Sequence, residues 1–141
     1  MTFPLWMLLG FAMWTAALLI FAIGTYRFSH ILTGRAGMAS FPADGREGAA
    51  WYQRAMRAHA NCIENLPLFT VVVFALHASG IDSAAADAMA GIALGARICQ
   101  SLAHVSTLQT DRIVTIRFTF FFMQLACFIG IAWVVARSYA G

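Results

Sequence analysis

The stretch Arg54-Ala55-Met56-Arg57-Ala58-His59-Ala60-Asn61-Cys62-Ile63-Glu64-Asn65-Leu66-Pro67-Leu68-Phe69 decides the fold, because ionisable and amide side chains run there directly into an apolar segment. Arg54, Arg57, Asn61 and Glu64 follow one another at steps of three, four and three, so on a helix they share one face. A polar stripe on an otherwise apolar helix is expected to enter a membrane with its polar face turned toward protein.

The composition around it agrees. Of 141 residues, 61% are hydrophobic and 11% charged, far from the balance of a soluble domain. The chain reads as a single all-α membrane domain over 1–141, with four transmembrane helices at about 4–30, 48–79, 83–107 and 112–137. The first apolar run has no basic residues ahead of it and exceeds a signal peptide's apolar region, so it is expected to be a retained span. Asp44-Gly45-Arg46-Glu47 resembles a capping box opening the second helix, and Pro67 is a candidate kink within it. Asp82 or Ser83 is expected to cap the third helix, whose Gly91 and Gly95 form a small-residue ridge for close packing.

The net charge of +3 comes from arginine, with no lysine present. Nucleic-acid binding calls for an exposed basic surface, whereas these arginines flank apolar runs, so no nucleic-acid partner is expected. Arg27, Arg35, Arg46, Arg54, Arg57, Arg112 and Arg117 fall on the side of the first and third connections, and Arg137 falls opposite with Asp82 and Asp87. The positive-inside rule places the first side in the cytoplasm and both termini on the non-cytoplasmic side. Cys62, Cys99 and Cys127 lack metal or redox spacing and read as packing residues.

Counting at about 1.5 Å per residue from the ends joining the second and third helices puts Glu64 and Arg97 about 22 Å deep, Asn61 and Gln100 about 27 Å, and Arg57 and His104 about 33 Å. The stripe thus has a mirror, Arg97, Gln100 and His104, on the antiparallel neighbour. Glu64 and Arg97 are expected to face each other, since a charge facing lipid at such depth costs about 2.5 to 3.5 kcal/mol. That pair alone could simply fix helix register, and single arginines at the boundary could snorkel toward headgroups. The whole cluster suits a ligand with several carboxylates, gripped by arginine forks, with Asn61 and Glu64 receiving an ammonium group. Assembly of an oligomer is a further use for such a stripe.

Arg57-Ala58-His59-Ala60-Asn61-Cys62-Ile63-Glu64-Asn65, Ala96-Arg97 and the four-span layout together resemble the membrane-associated proteins in eicosanoid and glutathione metabolism, the MAPEG family, in a bacterial-type member. The resemblance implies a homotrimer in the bacterial inner membrane, binding glutathione as co-substrate between subunits near the cytoplasmic face. It implies glutathione contacts for Arg57, Asn61 and Glu64, with Arg54 and His59 in the same motif, and an at least structural role for Arg97. Gln100 and His104 stand where prostaglandin E synthase-like members have histidine and tyrosine, and Ala60 stands where they have a second arginine. In their fourth helix an arginine is followed by serine and, four residues after the arginine, by tyrosine, all near the glutathione sulfur. The matching segment here keeps Arg117 but has Phe118 and Phe121 for the hydroxyls, while a register on Arg112 gives Ile113 and Ile116. The implied activity is a glutathione transferase or peroxidase acting on a lipophilic electrophile or hydroperoxide drawn from membrane lipid, with Arg117, or else Arg112, as the catalytic residue. The alternative is a non-catalytic lipid- or partner-binding protein of the same fold, as the family's lipoxygenase-activating member is.

Overall fold

The structure, a computed structural model, describes residues 1–41, 47–106 and 110–140, and these are helical almost throughout with no strand among them. The first helix is α1 (Phe3–Ala17), which widens into a π-helical segment (Leu18–Gly24) and continues as α2 (Thr25–Leu32). After a short 3₁₀ turn (Met38–Ser40) come α3 (Ala50–Ala78), α4 (Ala84–Ser106) and α5 (Asp111–Ala140). Phe3–Leu32, Ala50–Ala78 and Asp111–Ala140 are each long and apolar enough to cross a membrane. The fourth long helix, α4, is not among them, and it is the one that carries Asp87, Arg97, Gln100 and His104.

Helix ends follow from local chemistry. Gly80 takes a positive φ of 68° directly after α3, and its N–H donates to the His77 carbonyl at 3.2 Å, so the helix ends on a left-handed glycine. Ser83 Oγ accepts the Ala86 N–H at 3.3 Å and caps α4, one of the two caps that the sequence offers. The capping box read at the start of α3 falls largely outside the described residues, as do Pro42, Arg46 and Gln109. The observed N-cap, Ala49, has no capping side chain; its N–H donates to the Tyr26 hydroxyl at 3.1 Å. Tyr26 stacks on Tyr52 with centroids 4.2 Å apart, and Arg27 Nε donates to Tyr52 Oη at 2.7 Å, which ties α2 to the first turns of α3. Helix α3 runs through Pro67 without ending there.

The core is a column of rings crossing the bundle. Phe69 of α3 lies 5.5 Å from Phe11 of α1 and 5.2 Å from Phe128 of α5, and all three are fully buried. Aromatic contacts of this kind add about 0.5 to 1.5 kcal/mol each beyond burial. Arg97 of α4 closes the column, its guanidinium 5.3 Å above the Phe11 ring. Most of the remaining apolar side chains point outward, Phe21, Phe74, Phe122 and Trp133 among them, as on a surface solvated by lipid.

Close helix approach does not follow the ridge expected on α4. A Cβ added at Gly91 would meet the Phe3 ring at 3.7 Å, but one added at Gly95 would meet no atom of another element within 4 Å. The tight contact is instead at Gly130 of α5, where an added Cβ would overlap the sulfur of Met89. Gly130→Ala is therefore expected to lower stability. Helix propensity favours alanine by about 1 kcal/mol, and displacing the flexible Met89 thioether costs up to about 2 kcal/mol, the lower part of the overpacking range, so the net loss is at most about 1 kcal/mol. In a Met89→Ala background the same change should stabilise, which thermal unfolding in detergent measures; a loss of equal size in both backgrounds contradicts the packing assignment. The cysteines divide as well: Cys62 and Cys127 are buried as expected, while Cys99 is exposed.

Candidate functional site

A cavity of about 250 Å³ opens between α3, α4 and α5, lined by Asn61, Glu64, Gln100, His104, Val114, Arg117, Phe118 and Phe121. Five of the polar residues singled out by sequence thus line one space, together with Phe118 and Phe121, and they come from three helices. The i, i+3, i+4 spacing places Asn61 and Glu64 on one face of α3, and Gln100 and His104 on one face of α4. On α5, Val114, Arg117, Phe118 and Phe121 form the facing wall.

Other sequence candidates surround the cavity without lining it. Arg54 donates from Nε to the Val105 carbonyl at 3.2 Å, tying α3 to the end of α4. Arg57 is exposed on α3, and His59 is half-buried there. Arg97 is only 1% exposed and lies behind Asn61. Arg112 is exposed in the first turn of α5 and outside the lining, so of the two arginines weighed for chemistry only Arg117 reaches the cavity.

The expected Glu64–Arg97 pair is corrected by the structure. Arg97 Nη1 donates to Asn61 Oδ1 at 3.1 Å, one turn away from the partner expected, and Glu64 makes no ion pair within 4.0 Å among the described residues. The physical reason is that Asn61 Oδ1 and the Phe11 ring together occupy the guanidinium deep in the core, while Glu64 sits on an exposed part of α3. Asn61 itself is held from behind, since Asn65 Nδ2 donates both to its side-chain oxygen at 3.1 Å and to its carbonyl at 2.9 Å.

Positive charge accumulates here with little to neutralise it. His104 lies in the field of Arg117, Arg57 and Arg97, and Arg57 also acts on Arg117. The counter-charge acting on Arg97 includes Glu64. Several polar nitrogens are buried and without a partner: the donors Nε and Nη2 of Arg97 and Nε of Arg117, and the ring Nε2 of His104. Buried polar groups are normally satisfied, so this set has the chemistry of a receptor for acceptor-rich, anionic groups. No group of His, Cys, Asp and Glu among the described residues is arranged to hold a metal.

One member escaped the sequence reading. Gln124 is fully buried on α5, and its Nε2 donates to Gln100 Oε1 at 2.9 Å and to the Phe120 carbonyl at 2.8 Å. Gln100 Nε2 in turn donates to the Arg117 carbonyl at 3.1 Å. The signal was available: Gln124 is a lone amide in an apolar run, seven residues after Arg117 and so on its face.

A second, larger cavity of about 640 Å³ lies along the π-helical segment and α2, lined by Leu19, Ile20, Gly24, Phe28 and Ile31, with Arg27 as its charged member. It shares no lining residue with the first cavity. The sequence gives no warning of it, since neither proline nor charge marks the π turn.

The family model described as MAPEG family matches residues 3–137. Comparison with curated proteins gives no match, nor does comparison with solved structures.

Proposed function

The chain belongs to the MAPEG family, membrane proteins of glutathione and eicosanoid metabolism, and from that premise we propose that it binds glutathione in the cavity between α3, α4 and α5. The observation that carries this reading is the pair of arginines, Arg97 and Arg117, with unpartnered buried donors at that cavity, beside amides and a carboxylate. Asn61 and Glu64 receive the ammonium group, the arginines receive the carboxylates, and Arg117 stabilises the sulfur as thiolate. The thiolate then attacks a lipophilic electrophile, forming a sulfur–carbon bond while the leaving group departs with its electron pair and the thiol proton passes to water. With a hydroperoxide, two glutathione thiols are oxidised to the disulfide as the substrate is reduced to alcohol and water. The apolar cavity beside the π turn shares no lining residue with this one, so it suits the lipophilic substrate only where a neighbouring copy brings it against the thiolate.

In this reading α4 is the fourth span. It has 23 residues, which at about 1.5 Å each reach about 35 Å, and it packs against α1, α3 and α5. Those contacts shelter its polar face. The termini lie on the non-cytoplasmic side and the site near the cytoplasmic face of the membrane. A cavity of about 250 Å³ falls below the roughly 300 Å³ at which ligand pockets begin, and Arg57 and Glu64 are exposed. A second copy covering this face in a homotrimer would complete the enclosure.

Calorimetric titration of glutathione into the detergent-solubilised protein tests the proposal. Saturable binding is expected, weakened at least about tenfold in Arg57→Ala and in Glu64→Ala, in keeping with about 1.5 to 3 kcal/mol for a charged hydrogen bond. Absence of binding by the native protein rejects it. A second reading, binding without chemistry, is favoured by Phe118 and Phe121, which line the cavity where relatives carry hydroxyls. Binding without turnover of an aryl halide or a hydroperoxide would select it.

A further inference from the structure

We infer that Gln124 is a positioning residue for this cavity: its buried amide fixes the direction of Gln100 and, through Gln100, the turn of α5 that carries Arg117. The inference rests on the proposed function and extends it to a residue that does not line the cavity.

The polarity of the network leaves little freedom. The Phe120 carbonyl is an acceptor, so the Gln124 side chain turns its nitrogen toward it. That same nitrogen reaches Gln100 Oε1 at 2.9 Å. At the other end the Arg117 carbonyl is also an acceptor, so Gln100 presents its own nitrogen there, at 3.1 Å. Two backbone carbonyls of one helix thus fix the orientation of two amides in series. Without Gln124, nothing holds the Gln100 oxygen in place, and the amide can turn about its terminal bond. A flipped Gln100 would set oxygen against the Arg117 carbonyl, so it must swing away and release that turn.

Burying a primary amide among apolar side chains is costly unless it is bonded. Gln124 is 0% exposed, and its Oε1 has no partner. A residue serving packing alone would not need an amide left half-satisfied. The amide is needed where a direction must be set, because positioning within a fraction of an ångström decides how well a fixed cation stabilises charge.

The test compares native protein with Gln124→Met, which keeps the volume and removes the donor. Glutathione is titrated with pH in the bound state, and thiolate is followed by its ultraviolet absorbance; affinity for S-methylglutathione, which has no thiol to ionise, is measured in parallel. The expected result is a thiol midpoint raised by about one pH unit, a tenfold loss of ionisation, without a matching loss of S-methylglutathione affinity. A lowered unfolding temperature with an unmoved midpoint overturns the inference and leaves Gln124 as packing. Should Gln124→Met fail to fold, the side-chain amide protons of Gln124 in the native protein are the readout. They should shift when glutathione is added, and unmoved signals overturn the inference. A native protein that leaves the thiol midpoint at its value in water overturns this inference together with the proposed thiolate chemistry, whereas a lowered native midpoint indifferent to Gln124→Met overturns this inference alone.

Discussion

Replacing Arg117 with leucine is expected to return the pH midpoint of bound glutathione to about 8.5, the value of a free thiol, from the value of about 6.5 expected of the proposed native complex. That difference is worth roughly 2.7 kcal/mol of thiolate stabilisation. A single arginine is able to supply it because Arg117 lines the cavity, its Nε is buried without a partner, and Arg57 already crowds it with like charge. An anionic sulfur relieves that crowding as well as accepting the bond. At pH 7 the shift leaves about 25-fold less thiolate, so turnover should fall by a similar factor while affinity for S-methylglutathione falls less. Arg117→Lys should recover part of the ionisation, since a point charge retains the Coulomb attraction but not the fork. Arg112→Leu should leave the midpoint in place, because Arg112 is exposed outside the cavity. A midpoint that responds to Arg112 and not to Arg117 would move the chemistry to the first turn of α5.

What the sequence made legible, and what it did not, divides along physical lines. Hydropathy spoke for a helical membrane protein, because apolar content and run length are properties of the chain alone. The polar stripe was legible too, since a period of about 3.6 residues puts Arg54, Arg57, Asn61 and Glu64 on one face wherever the helix sits. The partner of Arg97 was not. Finding it required counting rise along two helices from a shared turn, and helix ends are uncertain by one or two residues. Errors at two helix ends add up to about three residues, or about 4.5 Å of rise, and that is the step from Glu64 to Asn61. The ring column of Phe11, Phe69 and Phe128, which seats the Arg97 guanidinium, joins residues far apart in the chain. The π turn at Leu18–Gly24 leaves no local mark at all. Gln124 had a local mark, but no other amide or charged residue stands three or four positions from it to form a stripe.

The correction at Arg97 leads to the other large effect, an asymmetry between the two partners of one hydrogen bond. Asn61→Leu is expected to destabilise the ligand-free protein by about 3 kcal/mol, the upper range for a bond to a charged group. Arg97 Nη1 is held by Asn61 Oδ1, its Nε and Nη2 are unpartnered already, and the residue is 1% exposed. Losing it leaves a buried guanidinium with only the face of Phe11, and breaking a buried polar pair from one side is costly because the remaining charge is stranded. The reverse substitution is different. In Arg97→Met, Asn61 Oδ1 still accepts from Asn65 Nδ2 at 3.1 Å, no charge is stranded, and an apolar chain of similar length fills the space against the ring column. Its expected cost is about 1 kcal/mol or less, and combining both changes should recover most of the loss from Asn61→Leu, since replacing both partners by apolar groups is close to neutral. Unfolding of the two single variants and the double variant, without glutathione, closes the cycle. A cost for Arg97→Met larger than that for Asn61→Leu would mean that the guanidinium is a stabilising element of the bundle, and that the energetic reading of its isolation is wrong.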